Sequence, residues 1–89
     1  SATFMDTYAW VLFQQEKYSD ALLWIEQAVK LDKKSAVLLE HYGDILSKLD
    51  RESDAVVQWQ KALNLELENK SNQNLAKIQQ KIKEGKYVE

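Results

Sequence analysis

The chain has 89 residues, of which 45% are hydrophobic, and its twelve Lys or Arg against fourteen Asp or Glu give a net charge of −2. These values fit one small domain and exclude the strongly basic surface that nucleic-acid binding requires. Without Cys the chain has no disulfide, thiol nucleophile or cysteine-ligated zinc, and without an apolar run approaching about 20 residues we expect no membrane insertion.

Five helices joined by short polar turns are predicted along the chain, because Pro is absent and Gly occurs only twice. Ser35 and Ser53 stand where N-caps would begin the third and fourth helices, and Gly85 stands where a left-handed C-cap would end the fifth. We therefore expect an all-α fold. The predicted helices cover residues 3–15, 18–32, 36–49, 53–67 and 72–84.

The sequence also repeats itself at an offset of 34 residues. A fixed period of this length is typical of arrays in which stacked helical pairs bury a continuous core. We divide the chain into a first unit at 2–35, a second unit at 36–69, and a capping helix with a tail at 70–89. The residues that recur are Tyr8 as Tyr42, Leu12 as Leu46, Ser19-Asp20-Ala21 as Ser53-Asp54-Ala55, Ala28 as Ala62, and Leu31 as Leu65.

The period and the residues that hold it resemble the tetratricopeptide repeat (TPR). Each unit has a large residue at its fourth place, Met5 or Leu39, and a small residue at its eighth place, Ala9 or Gly43. The alanines of the second helices also match the family pattern. The resemblance implies a single TPR domain, a right-handed helical solenoid with two helix-turn-helix repeats and a C-terminal capping helix.

The turn between the helices of each unit departs from this family pattern. The family usually has Gly there, whereas this chain has Glu16 in the first unit and Asp50 in the second. Asp tolerates a left-handed backbone better than Glu does. We therefore expect local strain or a different turn in the first unit.

The fifth predicted helix is expected to cap the second unit. Its single narrow apolar stripe suits packing against one neighbour, and we expect its lysine-rich back to face water. This pattern is typical of the end of an array. The stripe consists of Leu75, Ile78 and Ile82, and the lysines around it are Lys77, Lys81 and Lys83.

The first predicted helix has no such cap. Phe4, Tyr8 and Val11 are expected to contact a preceding unit, which would make these 89 residues a fragment of a longer chain. In the fragment alone, these side chains are expected to stay exposed or to drive self-association.

Peptides in the TPR family usually lie in a concave groove lined by the first helix of each unit. Members that grip a C-terminal carboxylate do so with cationic groove residues, and this chain has acidic or aromatic ones instead. We therefore expect a protein or peptide partner that is neutral to basic, with an apolar side chain against Trp10 and Phe13. The alternatives are that Trp10 is a packing residue and that the acidic residues are ordinary solvated ones. The candidate groove residues are Asp6, Trp10, Phe13, Glu40, Asp44 and Ser47.

Catalysis is not expected within these residues. His41 is the only histidine, and its neighbours Glu40 and Asp44 are weak evidence for a metal site or a general base. A Gly-rich phosphate loop and paired catalytic residues are missing from the sequence, so we expect neither enzyme activity nor a cofactor. Trp24 and Trp59 are interpreted as packing residues.

The function expected from the resemblance is that of a protein-interaction module with a scaffold or assembly role. The stretch 6–65 is similar to the closing repeats of long bacterial TPR proteins, several of which work in the cell envelope, and the compartment stays undetermined between cytoplasm and envelope or periplasm. Two alternatives remain. The chain is a structural C-terminal cap of a longer array with no ligand of its own, or it is the repeat region of a larger enzyme such as a glycosyltransferase.

Overall fold

The computed structural model describes residues 1–70 and 74–89, and within them the chain forms five α-helices and no strand. The all-α prediction is confirmed. The last predicted helix was placed from residue 72, and its first two residues lie outside the described ranges. The helices are α1 (Ala2–Gln14), α2 (Tyr18–Leu31), α3 (Ala36–Lys48), α4 (Glu52–Glu68) and α5 (Leu75–Glu84).

Two of the three predicted helix caps are confirmed. The Ser35 side chain accepts a hydrogen bond from the Leu38 N–H at the start of α3, and Gly85 ends α5 in the left-handed region with φ of 71°. The prediction for Ser53 is wrong, because α4 begins one residue earlier at Glu52 and includes Ser53 in its first turn.

The turns inside the two units have the same backbone geometry, so the different turn expected in the first unit is wrong, while the local strain expected there agrees with the left-handed backbone of Glu16. Glu16 and Asp50 both adopt the left-handed region, with φ of 62° and 61°. The N–H of Lys17 donates to the carbonyl of Leu12, and the N–H of Arg51 donates to that of Leu46, each at 2.9 Å. These paired bonds are the helix-ending pattern that a left-handed residue permits, and they satisfy carbonyls that the helix leaves free.

The helices pack in series. α1 and α2 pack together as one helical hairpin, and α3 and α4 pack together as a second. The hairpins meet where α2 packs on α3, and α1 also contacts α3. α5 packs on α4. Alanines at the 34-residue spacing are fully buried where these helices meet, namely Ala21, Ala28, Ala55 and Ala62. Small side chains allow the helix axes to approach closely.

The closest approach in the core lies between α3 and α4. Trp59 is fully buried against Gly43, and a Cβ atom added to Gly43 would lie within 3.0 Å of three atoms of the indole ring. Trp59 is therefore a core residue, as the sequence suggested. Trp24 is half-buried and contacts the ring of Tyr8 edge-on at 4.8 Å.

One face of α1 is exposed, in agreement with the sequence analysis. Phe4 is 65% exposed, and Tyr8 and Val11 are also among the exposed large apolar residues. Their equivalents 34 residues later, Leu38, Tyr42 and Ile45, belong to or pack against the core that includes α2. None of the helices in the described ranges is long and apolar enough to cross a membrane.

Candidate peptide-binding face and its C-terminal cover

The six candidate groove residues occupy equivalent places on α1 and α3, at a spacing of 34 residues. We call the surface that they share the α1/α3 face. His41 joins its two halves, because its Nδ1 lies 2.7 Å from Asp6 Oδ1 and its ring stacks on Trp10 with centroids 4.2 Å apart. The six residues are Asp6, Trp10 and Phe13 on α1, and Glu40, Asp44 and Ser47 on α3.

The α3 half of this face is covered by α5. Lys81 Nζ lies 2.6 Å from Glu40 Oε2 and 2.8 Å from Asp44 Oδ1, and all three side chains are buried. The expectation that Lys81 faces water is wrong. The interpretation of Glu40 and Asp44 as solvated residues is wrong for the same reason, since two carboxylates one helical turn apart provide a partner for the Lys81 ammonium.

Trp59 extends this buried cluster into the core. Its Nε1 donates to Asp44 Oδ1 at 3.0 Å and to the backbone carbonyl of Glu40 at 3.3 Å. The indole N–H thus finds its partners on the helix that its ring packs against. The cluster couples α3, α4 and α5 through a single set of polar contacts.

Burial shapes the protonation of the cluster. It raises the pKa of Asp44 to about 6, although the neighbouring Lys81 acts in the opposite direction. Burial also opposes the charged form of Lys81, but the carboxylates of Asp44 and Glu40 outweigh it and raise the pKa of Lys81 above its usual value. The Lys81 ammonium therefore stays charged near neutral pH.

The residues after α5 cover the next part of the face. Ser47 Oγ accepts a hydrogen bond of 2.8 Å from the backbone N–H of Tyr87. The Tyr87 ring contacts Phe13 edge-on at 5.2 Å and has the Lys81 Nζ 5.2 Å from its centroid. Burial raises the pKa of the Tyr87 hydroxyl as well. Phe13 and Ser47 are thus buried by the chain itself.

The α1 half of the face stays partly open. Trp10 is half-buried and stacks on Phe13 on one side and His41 on the other. A cavity of about 210 Å³ lies beside it, bounded on the far side by Lys77 and Glu89 of the C-terminal segment. Lys77 Nζ donates to the Glu89 carbonyl at 2.7 Å, which closes that side.

His41 serves as a link between helices in this arrangement. Its Nδ1 is within hydrogen-bond distance of Asp6 Oδ1, and this contact ties α3 to α1. Among the described residues, no three His, Cys, Asp or Glu side chains are grouped so that they could hold a metal ion.

Sequence reasoning missed the contribution of Lys81 and Tyr87 to this face. Lys81 lies beside Ile82 and three residues after Ile78, so it borders the apolar stripe that packs inward. Tyr87 and Val88 form an apolar pair that begins two residues after the Gly85 cap, and this pair is the signal in the sequence for a tail that returns onto the fold.

Comparison with known proteins adds no assignment. No protein-family model matches the chain, and no characterised protein matches it significantly in sequence.

Proposed function

We propose that the chain is a TPR-type module that binds a segment of a partner protein on the open part of the α1/α3 face. The two helical hairpins, their identical turns and their buried alanines at the 34-residue spacing support a two-unit solenoid with units at 2–35 and 36–69. Residues 70–89 then serve as the capping helix and tail. In this proposal the module has no enzyme activity and needs no cofactor.

The observation that carries the proposal is the stacked aromatic platform of Trp10 beside an open cavity. A flat, half-buried indole held between two rings offers apolar area at little cost in side-chain entropy. The charged side chains that line the cavity leave a small acidic excess, which weakly favours a neutral to basic segment. These side chains are Glu40, Asp44 and Glu89 against Lys77 and Lys81. The partner is therefore a peptide or helix with an apolar side chain for Trp10.

A peptide array probed with the purified 89-residue chain tests this proposal. We expect binding to apolar and basic peptides that falls at least about tenfold in Trp10→Ala, as for removal of a central aromatic anchor. The matched control is Trp24→Ala, which truncates a half-buried tryptophan on α2 that contacts Tyr8. Circular dichroism first establishes that both variants are folded.

Equal loss in both variants would contradict a site at Trp10. So would a wild-type chain that binds no peptide above background while its circular dichroism is that of a folded helical protein. That second outcome would favour the alternative function described next.

The alternative is a terminal unit that caps a longer array and binds no ligand of its own. Two observations favour it: α5 and Tyr87 cover the second half of the groove, and the exposed stripe of α1 is equivalent to residues of α3 that pack inside the fold. Such a stripe suits a preceding helical pair, or a second copy when none precedes. The third reading, the repeat region of a larger enzyme such as a glycosyltransferase, places all chemistry outside these residues.

Sedimentation velocity tests the role of the α1 stripe. If it is an unpaired packing surface, the wild-type chain associates with rising concentration, and Val11→Lys keeps it monomeric. Glu16→Lys, on the exposed turn after α1, is the charge-matched control and should associate like the wild type. Monomers at all concentrations for every variant would contradict self-association through α1.

A further inference from the structure

A second cavity lies at the other end of the α1/α3 face, where the start of α3 meets the end of α4 and the start of α5. Its volume is about 260 Å³, and it is lined by Val37, Glu40, His41, Glu66 and Asn74. The cavity is distinct from the one beside Trp10, although both share Glu40, His41 and Asn74.

Glu66 is the unusual member of this lining. Its side chain belongs to a residue that is only 6% exposed, and its Oε2 has no hydrogen-bond partner among residues 1–70 and 74–89. Within the same ranges, no Lys, Arg or His nitrogen lies within ion-pair distance of it. A buried carboxylate oxygen without a partner is costly, because it loses its hydration and gains no hydrogen bond in return.

Glu40, in the same lining, is fully satisfied. Its Oε1 accepts from the Asn74 side-chain amide, and its Oε2 accepts from Lys81. The carboxylate at this cavity that has an oxygen without a hydrogen-bond partner among the described residues is therefore that of Glu66. Val37 adds an apolar wall that is half-exposed.

We propose that this cavity binds the cationic side chain, lysine or arginine, of the partner segment. The methylene stem would lie along Val37, and the ammonium or guanidinium would neutralise Glu66. A metal ion fits less well, since the described residues offer no group of three such ligands. The identity of the ligand as a peptide residue rests on the proposed function, with the apolar residue at Trp10 and the basic residue at Glu66.

The cavity can be tested without a peptide by titrating n-butylammonium, a mimic of the lysine side chain, and following backbone amide shifts by NMR. We expect saturable shifts at Val37, His41 and Asn74, with an affinity at least about tenfold weaker in Glu66→Gln. Glu68→Gln is the matched control, because Glu68 lies on the same helix and is exposed. The neutral analogue 1-butanol should produce none of these shifts.

A second readout is thermal stability. Glu66→Gln removes an unpaired buried charge and is expected to fold at least as stably as the wild type. n-Butylammonium should raise the melting temperature of the wild type and of Glu68→Gln, and leave Glu66→Gln unchanged.

Equal affinity in the wild type and Glu66→Gln would overturn the proposal, as would an absence of shifts with n-butylammonium. If calcium chloride produced the same shifts, the ligand of the cavity would be a metal ion and the proposal of an organic cation would be wrong. The Trp10→Ala variant separates this inference from the proposed function: it should lose peptide binding yet keep n-butylammonium binding. If no peptide binds but n-butylammonium does, the cavity stands and the peptide function fails.

Discussion

In the first helical unit, Ala9 and Ile25 pack in one buried cluster, whereas the same places of the second unit hold Gly43 and Trp59 in direct contact. The larger side chain on one helix is matched by the smaller residue on the other. The two differences compensate each other in volume, while the chemistry of the contact changes. Only the second arrangement brings an indole N–H to the groove side, where Asp44 accepts its hydrogen bond.

The two units also differ in the residues that they contribute to the α1/α3 face. Trp10 and Phe13 are aromatic in the first unit, and their equivalents in the second, Asp44 and Ser47, are polar and buried. The polar residues hold the chain's own α5 and tail through Lys81 and Tyr87, while Trp10 remains partly open. The α1/α3 face is thus covered by the chain's own C-terminal segment in the second unit and is partly open at Trp10 in the first.

The largest effect is expected when Lys81, the α5 cation that pairs with the second unit, is removed. Lys81→Met leaves Glu40 and Asp44 buried without a counter-charge, and we expect a loss of about 3 to 5 kcal/mol in the free energy of unfolding, measured by urea denaturation. Lys83→Met, on the exposed side of α5, should change it by less than about 0.5 kcal/mol.

The same experiment can be sharpened by removing all three charges. The variant with Glu40→Gln, Asp44→Asn and Lys81→Met contains no uncompensated charge, so it should regain part of the stability that Lys81→Met loses. Equal losses in Lys81→Met and Lys83→Met would show that the ion pairs do not hold α5 on the face.

Substitutions at the contact between Gly43 and Trp59 are expected to give the next largest effect. Helix propensity alone would make Gly43→Ala stabilising by about 1 kcal/mol. We expect instead a net loss of about 2 kcal/mol, because the new Cβ would collide with the indole ring. Combining it with Trp59→Ile, which recreates the residue types of the first unit, should cost less than the sum of the two single changes. A more stable Gly43→Ala variant would contradict the close contact.

Much of the fold could be predicted because its signals are local or periodic. The 34-residue repeat predicts the helix pairs and the buried alanines. Ser35 and Gly85 predict two helix ends, because caps depend on short-range hydrogen bonds. The prediction that Ser53 is an N-cap failed because Arg51 occupies the N-cap position and α4 begins at Glu52, before the side chain that resembles a cap.

The candidate site was less predictable, because it depends on contacts between residues far apart in the chain. The pairing of Lys81 with Glu40 spans 41 residues, and that of Tyr87 with Ser47 spans 40. No repeat equivalence connects α5 to the units it covers. The side chain of a lysine beside an apolar stripe either extends into solvent or pairs with a buried carboxylate. Only the position of the carboxylates in the fold decides between the two.

The raised pKa of Asp44 predicts a pH dependence that the first unit, with Trp10 at this place, lacks. The folded chain holds the Asp44 proton with a pKa of about 6 against 3.8 for the unfolded chain, so between these values the folded state binds more protons. Stability from this group therefore falls as pH rises. From pH 5 to pH 7.5 the wild type should lose about 1 to 2 kcal/mol relative to Asp44→Asn.

Taking the difference between the wild type and Asp44→Asn, both measured by urea denaturation, cancels the titration of groups that they share. A difference that stays constant over this pH range would mean that Asp44 titrates as an exposed carboxyl does. Lys81 adds a loss of the same sign at high pH: its raised pKa favours the folded state below 10.5, and this contribution is lost as pH rises through the folded value.

The smallest expected effect on stability concerns the tail after α5 alone. Ser47→Ala removes the acceptor of the Tyr87 N–H, and we expect a loss of about 1 kcal/mol, typical of one partly buried hydrogen bond. Amide hydrogen exchange should locate the change, with the Tyr87 N–H losing protection while the N–H of Ala62 in the core keeps it. Because the tail bounds the cavity beside Trp10, the same variant should also bind apolar peptides at least as well as the wild type. Weaker peptide binding in Ser47→Ala would mean that the tail helps to form the site, whereas stronger binding would mean that it competes for it.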